Sequence, residues 1–314
     1  MKFEKRHIKE CIQIFNSYAN AKEVVFKPLD EERFEALFCS DKYNSMGVVK
    51  EDANGEVLGF AFGTVSEIAG YISYIGVRKD VCRRGFGKEL FSELTEAIKK
   101  ENREIKRLDC IFYNPCQLSW FVPNHEPHDH PGVPGVYMKG SGYEFFKACG
   151  FYDYAVQNAY YMQLNKFEER EKIKEKKEKL NNQGIEVCFF DKEKHTGFSE
   201  LFENIKNEGW RKSVMSRLDE KIVVAVKDNV VIGYSGPLSV SKGKRGLFCG
   251  IGVHTDFRQY GIGSVIFSEL CAGLKGMGAE FMSLFTGDNN PARFVYESTG
   301  FELVAKFSCM RKEL

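Results

Sequence analysis

Two glycine turns stand where this sequence could do chemistry. Cys82-Arg83-Arg84-Gly85-Phe86-Gly87-Lys88 occurs once, and Arg258-Gln259-Tyr260-Gly261-Ile262-Gly263-Ser264 recurs at an offset of 176 residues, from Gly85 to Gly261. Each follows an apolar run of strand character and leads into an amphipathic helical pattern. The first backbone N–H groups of a helix have no partner inside it, and their dipoles favour negative charge. Glycine lets the chain turn sharply there and lets a ligand approach the main chain closely. Such a junction suits the cradling of a phosphate-bearing ligand, and a pyrophosphate fits it. Arg83, Arg84 and Lys88 add positive charge to the first copy; Arg258 and the Ser264 hydroxyl add to the second.

Neither turn is the dinucleotide fingerprint, which needs a third glycine where Leu90 and Ile266 stand. The P-loop pattern GxxxxGK[ST] is absent from the sequence. The segment His125-Glu126-Pro127-His128-Asp129-His130 holds three of the six histidines. It lacks the helical HExxH spacing and has no cysteine beside it, so it reads as a proline-stiffened arm with no metal site expected. That arm is expected to pack on the other half of the chain or to wall an acceptor pocket.

The elements that must position the turns are also duplicated. Ser45–Lys50, Asn54-Gly55 and Val57–Phe62 read as strand, turn, strand, and Ile222–Lys227, Asp228-Asn229 and Val230–Tyr234 read the same way. A third strand, Tyr71–Val77 or Leu247–Val253, precedes each glycine turn. After each helix comes another strand, Arg107–Tyr113 or Glu280–Thr286, then a short helix closed by Gly150-Phe151 or Gly300-Phe301. The turn and its closing glycine are 65 residues apart in the first half and 39 in the second. The surplus falls in a loop over about 114–140, which contains five of the eight prolines, so helix and central strand are excluded there. Trp120 and Phe121 are expected to anchor it.

These repeats divide the chain into a first domain over 1–165 carrying the 114–140 insertion, a charged helical linker over 166–184, and a second domain over 185–314. The linker mixes signs, with Glu168–Lys172 and Glu175–Lys179 in favourable register, and reads as a solvated helix. A formal net charge of +1 gives no global field to draw nucleic acid or a membrane surface, so neither partner is expected. The ten cysteines contain no CxxC pair and the start has no apolar signal core, which points to reduced thiols in the cytoplasm.

With these residues in view, the chain resembles the GNAT superfamily of N-acetyltransferases. Arg258-Gln259-Tyr260-Gly261-Ile262-Gly263 matches the family's Arg/Gln-x-x-Gly-x-Gly/Ala signature, and Asn289, Ala292, Tyr296, Gly300 and Phe301 match its closing signature. The resemblance covers nearly the whole chain as a tandem pair. It implies an α+β chain of two acyl-coenzyme A N-acyltransferase folds, each a mixed, mostly antiparallel sheet flanked by helices. It further implies that acetyl-coenzyme A lies between the splayed fourth and fifth strands. Its pyrophosphate would lie on the amides of Arg258, Gln259, Tyr260, Gly261, Ile262, Gly263 and Ser264. Val253 would line the pantetheine arm, with Asn289 among the coenzyme contacts. The counterparts in the first half are Val77, Arg83, Arg84, Gly85, Phe86, Gly87 and Lys88. Tyr296 holds the place of the family's general acid, which protonates the departing thiolate; a phenol with a pKa near ~10 keeps its proton at neutral pH.

The first half departs from the pattern. Cys82 replaces the Arg/Gln position, and Phe146 stands where the second half has Tyr296, with Tyr143 three residues away as a substitute. The first domain is therefore expected to bind coenzyme A weakly or structurally and the second to do most of the chemistry. Neither Tyr71–Val77 nor Leu247–Val253 carries a carboxylate to deprotonate an amine, and His254, Asp288 or a water relay remain open as the base. The expected activity is acetyl transfer from acetyl-coenzyme A to a primary amine of a small molecule or peptide. The alternative is a non-catalytic acyl-coenzyme A sensor or scaffold.

Overall fold

The computed structural model describes residues 1–40, 43–111 and 114–314. In chain order, helices α1 (Ile8–Asn20) and α2 (Glu31–Phe38) precede strands β1 (Ser45–Glu51), β2 (Val57–Val65) and β3 (Gly70–Val77). Helix α3 (Phe86–Glu101) leads to β4 (Arg107–Cys110), the two-residue strands β5 (Trp120–Phe121), β6 (Asp129–His130) and β7 (Val136–Tyr137), helix α4 (Ser141–Ala148) and β8 (Tyr152–Met162). Then come α5 (Glu171–Asn181), β9 (Ile185–Phe189), α6 (Phe198–Ile205), α7 (Glu208–Met215), β10 (Val223–Lys227), β11 (Val230–Ser235), β12 (Leu238–Val240), β13 (Gly246–Phe248) and β14 (Ile251–Val253). Helix α8 (Ile262–Gly276), β15 (Met282–Gly287), α9 (Ala292–Thr299) and β16 (Glu302–Glu313) follow. The chain forms two compact units, Met1–Ala159 with Val304–Leu314, and Tyr160–Leu303.

In the N-terminal unit, β1 and β2 form the hairpin that Asn54-Gly55 signals. Gly55 takes φ +82°, and the Asp52 carboxylate accepts the amides of Asn54 and Glu56. Successive residues of β2 point to opposite faces. Phe60 and Phe62 join Phe15, Phe34 and Phe38 under α1 and α2, while Ala61 meets Ile72, Leu90, Leu94 and Ile98 under α3. Strands β2 and β3 are antiparallel, but β3 and β4 run parallel and, among the described residues, pair at two positions, Gly70–Leu108 and Tyr71–Asp109, before they part. The far side of β4 is covered by the Val304–Leu314 segment, antiparallel from Met310–Cys110 to Glu313–Arg107, with β8 next in order. Asp109 is fully buried there and accepts from Arg311 at 2.8 and 3.1 Å and from Arg107 at 3.0 Å, so the charge is paired.

The described part of the 114–140 loop contains no helix, and its short strand β7 pairs with β16 to one side of the main order, as its prolines require. Trp120 is buried and its indole donates to the Gly132 carbonyl at 2.9 Å, whereas Phe121 is half-buried beneath Lys27. Of the strand expected over Arg107–Tyr113, β4 takes the first four residues, Ile111 bridges to Gly135, and Phe112 and Tyr113 lie outside the described residues.

In the C-terminal unit, β10 and β11 close through Asp228 and Asn229, both at positive φ (53° and 64°), which gives the mirror-image turn a two-residue hairpin needs. The sheet order is β14-β11-β10-β9, and β15 is not joined to it. The run Leu247–Val253, expected as one strand, is broken. Its first part pairs with β12 and its second with β11. Between them the Gly250 carbonyl turns to accept from Gly236 N and Ser235 Oγ at 3.2 and 3.0 Å, and a Cβ on Gly250 would stand 2.7 Å from the Trp210 ring. Helix α5, expected as a solvated linker, buries Ile173 and Leu180 in the same cluster as Ile262, Val265, Ile266 and Leu270 of α8.

Candidate functional site

The N-terminal glycine turn is built by two left-handed residues, Arg83 (φ 64°) and Gly85 (φ 94°). Gly85 caps α3, and its carbonyl takes the amides of Lys88 and Glu89 at 2.9 and 3.2 Å. The amides of Arg83, Arg84, Gly85, Phe86 and Gly87 donate to no acceptor among the described residues. They are the unpaired donors that an anion would satisfy. This turn is one end of a cleft of about 710 Å³ lying wholly in the N-terminal unit. Val77, Arg83, Gly85, Phe86, Gly87 and Lys88 all line it, whereas Arg84 folds back to the Asp80 carbonyl at 3.3 Å. The cleft continues where β3 and β4 part, past Ile72–Val77 on one side and Cys110 and Ile111 on the other. The proline-rich loop contributes Gly135, Val136 and Tyr137 to its wall. Among the described lining residues the one carboxylate is Glu144, exposed on α4.

Cys82 leaves the first turn without the arginine or glutamine of the second, and a distant residue stands in. In the C-terminal unit the Arg258 side chain donates to the Val253 carbonyl at 3.2 Å. The equivalent carbonyl, Val77, is met at 2.7 Å by the hydroxyl of Tyr18, which also lies 3.2 Å from Cys82 Sγ. Burial and that thiol push the Tyr18 phenol up, so it stays a donor. No local motif announces Tyr18; its role depends on α1 packing beside β3.

The C-terminal turn is built alike. A short 3-10 turn, Thr255–Tyr260, carries exposed Arg258, Gln259 and Tyr260, with the His254 ring accepting from Asp256 N at 3.3 Å and Gln259 donating to the Asp256 carbonyl at 2.9 Å. Gly261 takes φ 74° and caps α8. The amides of Gly261, Ile262, Gly263 and Ser264 have no acceptor among the described residues. Ile262 is buried in the core, and the Ser264 hydroxyl donates to the Gly261 carbonyl at 3.0 Å. Lys176 of α5 reaches Ser264 Oγ at 3.1 Å and passes 3.7 Å from the place of a Cβ on Gly261. The sequence does not foretell this cation, because it comes from the charged helix expected to be solvated. Asn289 is exposed and half-buried Asp288 precedes it, while the Asn290 side chain, just ahead of α9, accepts from the Ala292 amide at 2.9 Å.

Tyr296 lies in α9, 6% exposed, with its ring against Tyr160, Phe267 and Phe301. Its hydroxyl has no hydrogen-bond partner among the described residues, and burial pushes its pKa up to about 12. Gly300 at φ 110° ends that helix, and the Phe301 amide returns to the Tyr296 carbonyl at 3.0 Å. The first unit repeats this closure with Gly150 at φ 87° and the Phe151 amide on the Phe146 carbonyl at 3.0 Å. Phe146 thus holds the backbone place of Tyr296 without its hydroxyl. Tyr143 does not line the cleft; its hydroxyl is held by Asp153 at 2.9 Å.

Two stretches, residues 11–115 and 183–301, match the model of the acetyltransferase (GNAT) family. The chain belongs to that family. Among solved structures it is similar over 99% of its length to a fungal GCN5-related glucosamine N-acetyltransferase region of a multi-domain GH3 β-N-acetylglucosaminidase, at 14% identity and a TM-score of 0.62. It spans 38% of that longer chain. A GCN5-related N-acetyltransferase from Sphaerobacter thermophilus gives 13% identity and a TM-score of 0.60, over 99% of this chain and 94% of that one. A tandem GNAT protein from the clavulanic acid biosynthesis pathway gives 13% and 0.54, over 100% and 97%. At these identities the likeness is one of fold, two tandem GNAT folds in mixed α and β structure. No curated protein matches the sequence. No helix among the described residues is long and apolar enough to cross a membrane.

Proposed function

We propose that the protein moves an acetyl group from acetyl-coenzyme A to a primary amine of a small molecule or peptide, by direct attack in a ternary complex. The observation that carries this reading is the parting of β3 from β4 above a helix start whose amides lack acceptors, within one continuous cleft. A diphosphate satisfies those amides, and a thin pantetheine arm suits the gap between parted strands. The coenzyme would meet Val77, Arg83, Gly85, Phe86, Gly87 and Lys88 in one unit, and Arg84 through its main-chain amide alone, its side chain being turned to Asp80. In the other it would meet Val253, Arg258, Gln259, Tyr260, Gly261, Ile262, Gly263, Ser264 and Asn289. Lys176 supports the second assignment: a cation beside a helix start opposes the dipole unless an anion joins it.

In this reading the C-terminal unit does most of the chemistry and Tyr296 is its acid. Burial holds the proton on that phenol at neutral pH, which is the state a donor to thiolate needs. The ten free thiols fit a reducing cytoplasm. A non-catalytic coenzyme sensor is the second reading, favoured in the N-terminal unit by Phe146. Free-thiol release with a panel of amines separates them: a transferase releases coenzyme A in step with added amine, and a sensor binds it without turnover.

Tyr18 offers a check on the N-terminal socket. Tyr18→Phe removes one hydrogen bond from the strand end that flanks the turn, a change of about 1 kcal/mol. Coenzyme A binding by that unit is expected to weaken roughly 3- to 10-fold. Titration calorimetry showing unaltered affinity would detach Tyr18 from the site.

A further inference from the structure

The N-terminal cleft is larger in chemistry than a coenzyme socket requires. Beyond the parted strands its wall is mostly apolar and aromatic, with Val24, Phe26, Tyr74, Leu118 and Tyr137, and its polar members, Ser73, Asn114 and Gln117, are uncharged. Leu118 is 2% exposed and Tyr74 8%, while Val24, Phe26 and Tyr137 are half-buried, so this end is partly shielded from water. No carboxylate stands there among the described lining residues, since Glu144 is exposed on α4. A wall of that kind offers an ammonium group no counter-charge, and desolvation disfavours its charged form. An amine entering it is driven toward the neutral, nucleophilic state. The absence of a carboxylate from Tyr71–Val77 is then no obstacle to chemistry in this unit.

Among the described residues three phenols line the same cleft. Tyr18 is committed to the Val77 carbonyl. Tyr74 packs its ring against Phe15, Phe26 and Phe60 as part of the core. Tyr137 is half-buried, and its hydroxyl has no hydrogen-bond partner among the described residues. It sits on β7, where the neighbouring Gly135 bridges to Ile111 just after β4, so β7 lies beside the opened end of the strand pair. Burial raises its pKa, which keeps the proton in place.

Building on the acyl-coenzyme A reading, we propose that the N-terminal unit is an acyl-transfer site in its own right, that it takes a primary amine with an apolar body, and that Tyr137 supplies the proton for which Phe146 has no group. The amine lone pair attacks the thioester carbonyl carbon, a C–N bond forms and the C–S bond breaks. The departing sulfur takes the Tyr137 proton. The nitrogen loses its extra proton to water, and solvent returns one to the phenolate, leaving amide and free thiol.

The test uses the full chain with Gly263→Glu, which closes the C-terminal socket. Thiol release from acetyl-coenzyme A is measured with 2-phenylethylamine, hexylamine and spermidine. The two apolar amines are expected to exceed spermidine in kcat/KM by at least about 10-fold, and adding Tyr137→Phe is expected to lower kcat by about 10² with coenzyme affinity unchanged. Turnover insensitive to Tyr137→Phe overturns the proposal, as does a preference for spermidine, or binding of coenzyme A in calorimetry without any turnover. Loss of all coenzyme binding in that chain, with Tyr137 intact, instead removes the acyl-coenzyme A reading of the N-terminal unit on which it rests.

Discussion

In a chain whose N-terminal socket is closed by Gly87→Glu, replacing Tyr296 by phenylalanine is expected to lower turnover about 10²-fold or more, the scale of lost general acid catalysis. The substitution removes one oxygen and leaves the ring among Tyr160, Phe267 and Phe301, so the helix and its Gly300-Phe301 closure are kept. Coenzyme affinity should hardly move, because the amides of the turn are untouched. The raised pKa sharpens the expectation: at about 12 the phenol is protonated across the whole working range, so its contribution does not fade toward neutral pH. Steady-state kinetics at saturating coenzyme decide it. A variant that turns over like its parent would place the proton donor elsewhere.

The second large effect concerns the socket itself. Gly263→Glu is expected to abolish coenzyme binding by the C-terminal unit, so that calorimetry reports one site per chain where the parent reports two. Gly263 is a cleaner position than Gly261 for this purpose. A Cβ there meets Val295 at an ordinary 3.6 Å, whereas Gly261 sits at φ 74°, where any side chain adds strain. Glutamate in the first turn suits the helix dipole, so the fold should survive while the carboxylate takes the place of the incoming phosphate. Gly263→Ala separates bulk from charge and should retain most binding. Two sites persisting in the glutamate variant would reject the socket.

Much of this architecture was legible in sequence because its determinants are local. Asn54-Gly55 and Asp228-Asn229 set their hairpins through backbone conformations that few residues adopt. Gly85 and Gly261 start helices in the left-handed region, and Gly150 and Gly300 end them there. What stayed hidden was non-local. Tyr18 completes a turn that begins more than sixty residues later, and it does so through a hydrogen bond that no spacing rule describes. Lys176 belongs to a helix whose composition is that of a solvated surface, yet Ile173 and Leu180 fix one face and so aim the lysine. The break at Cys249-Gly250 escaped because the run is apolar throughout, while the Trp210 ring of α7, which stands where a Cβ on Gly250 would be, is distant in sequence. The extent of the N-terminal cleft was equally invisible, since parted strands and paired ones share the same alternating residues.

The placement of Val304–Leu314 has a consequence for how this molecule comes into being. That strand lies between β4 and β8, inside the sheet of the N-terminal unit. A nascent chain emerging from the ribosome therefore exposes an open seam along Arg107–Cys110, with the Asp109 carboxylate lacking Arg311, until all of Tyr160–Leu303 has been made. The unit that begins first is completed last, and the N-terminal segment expressed by itself would carry an unfilled gap in its middle.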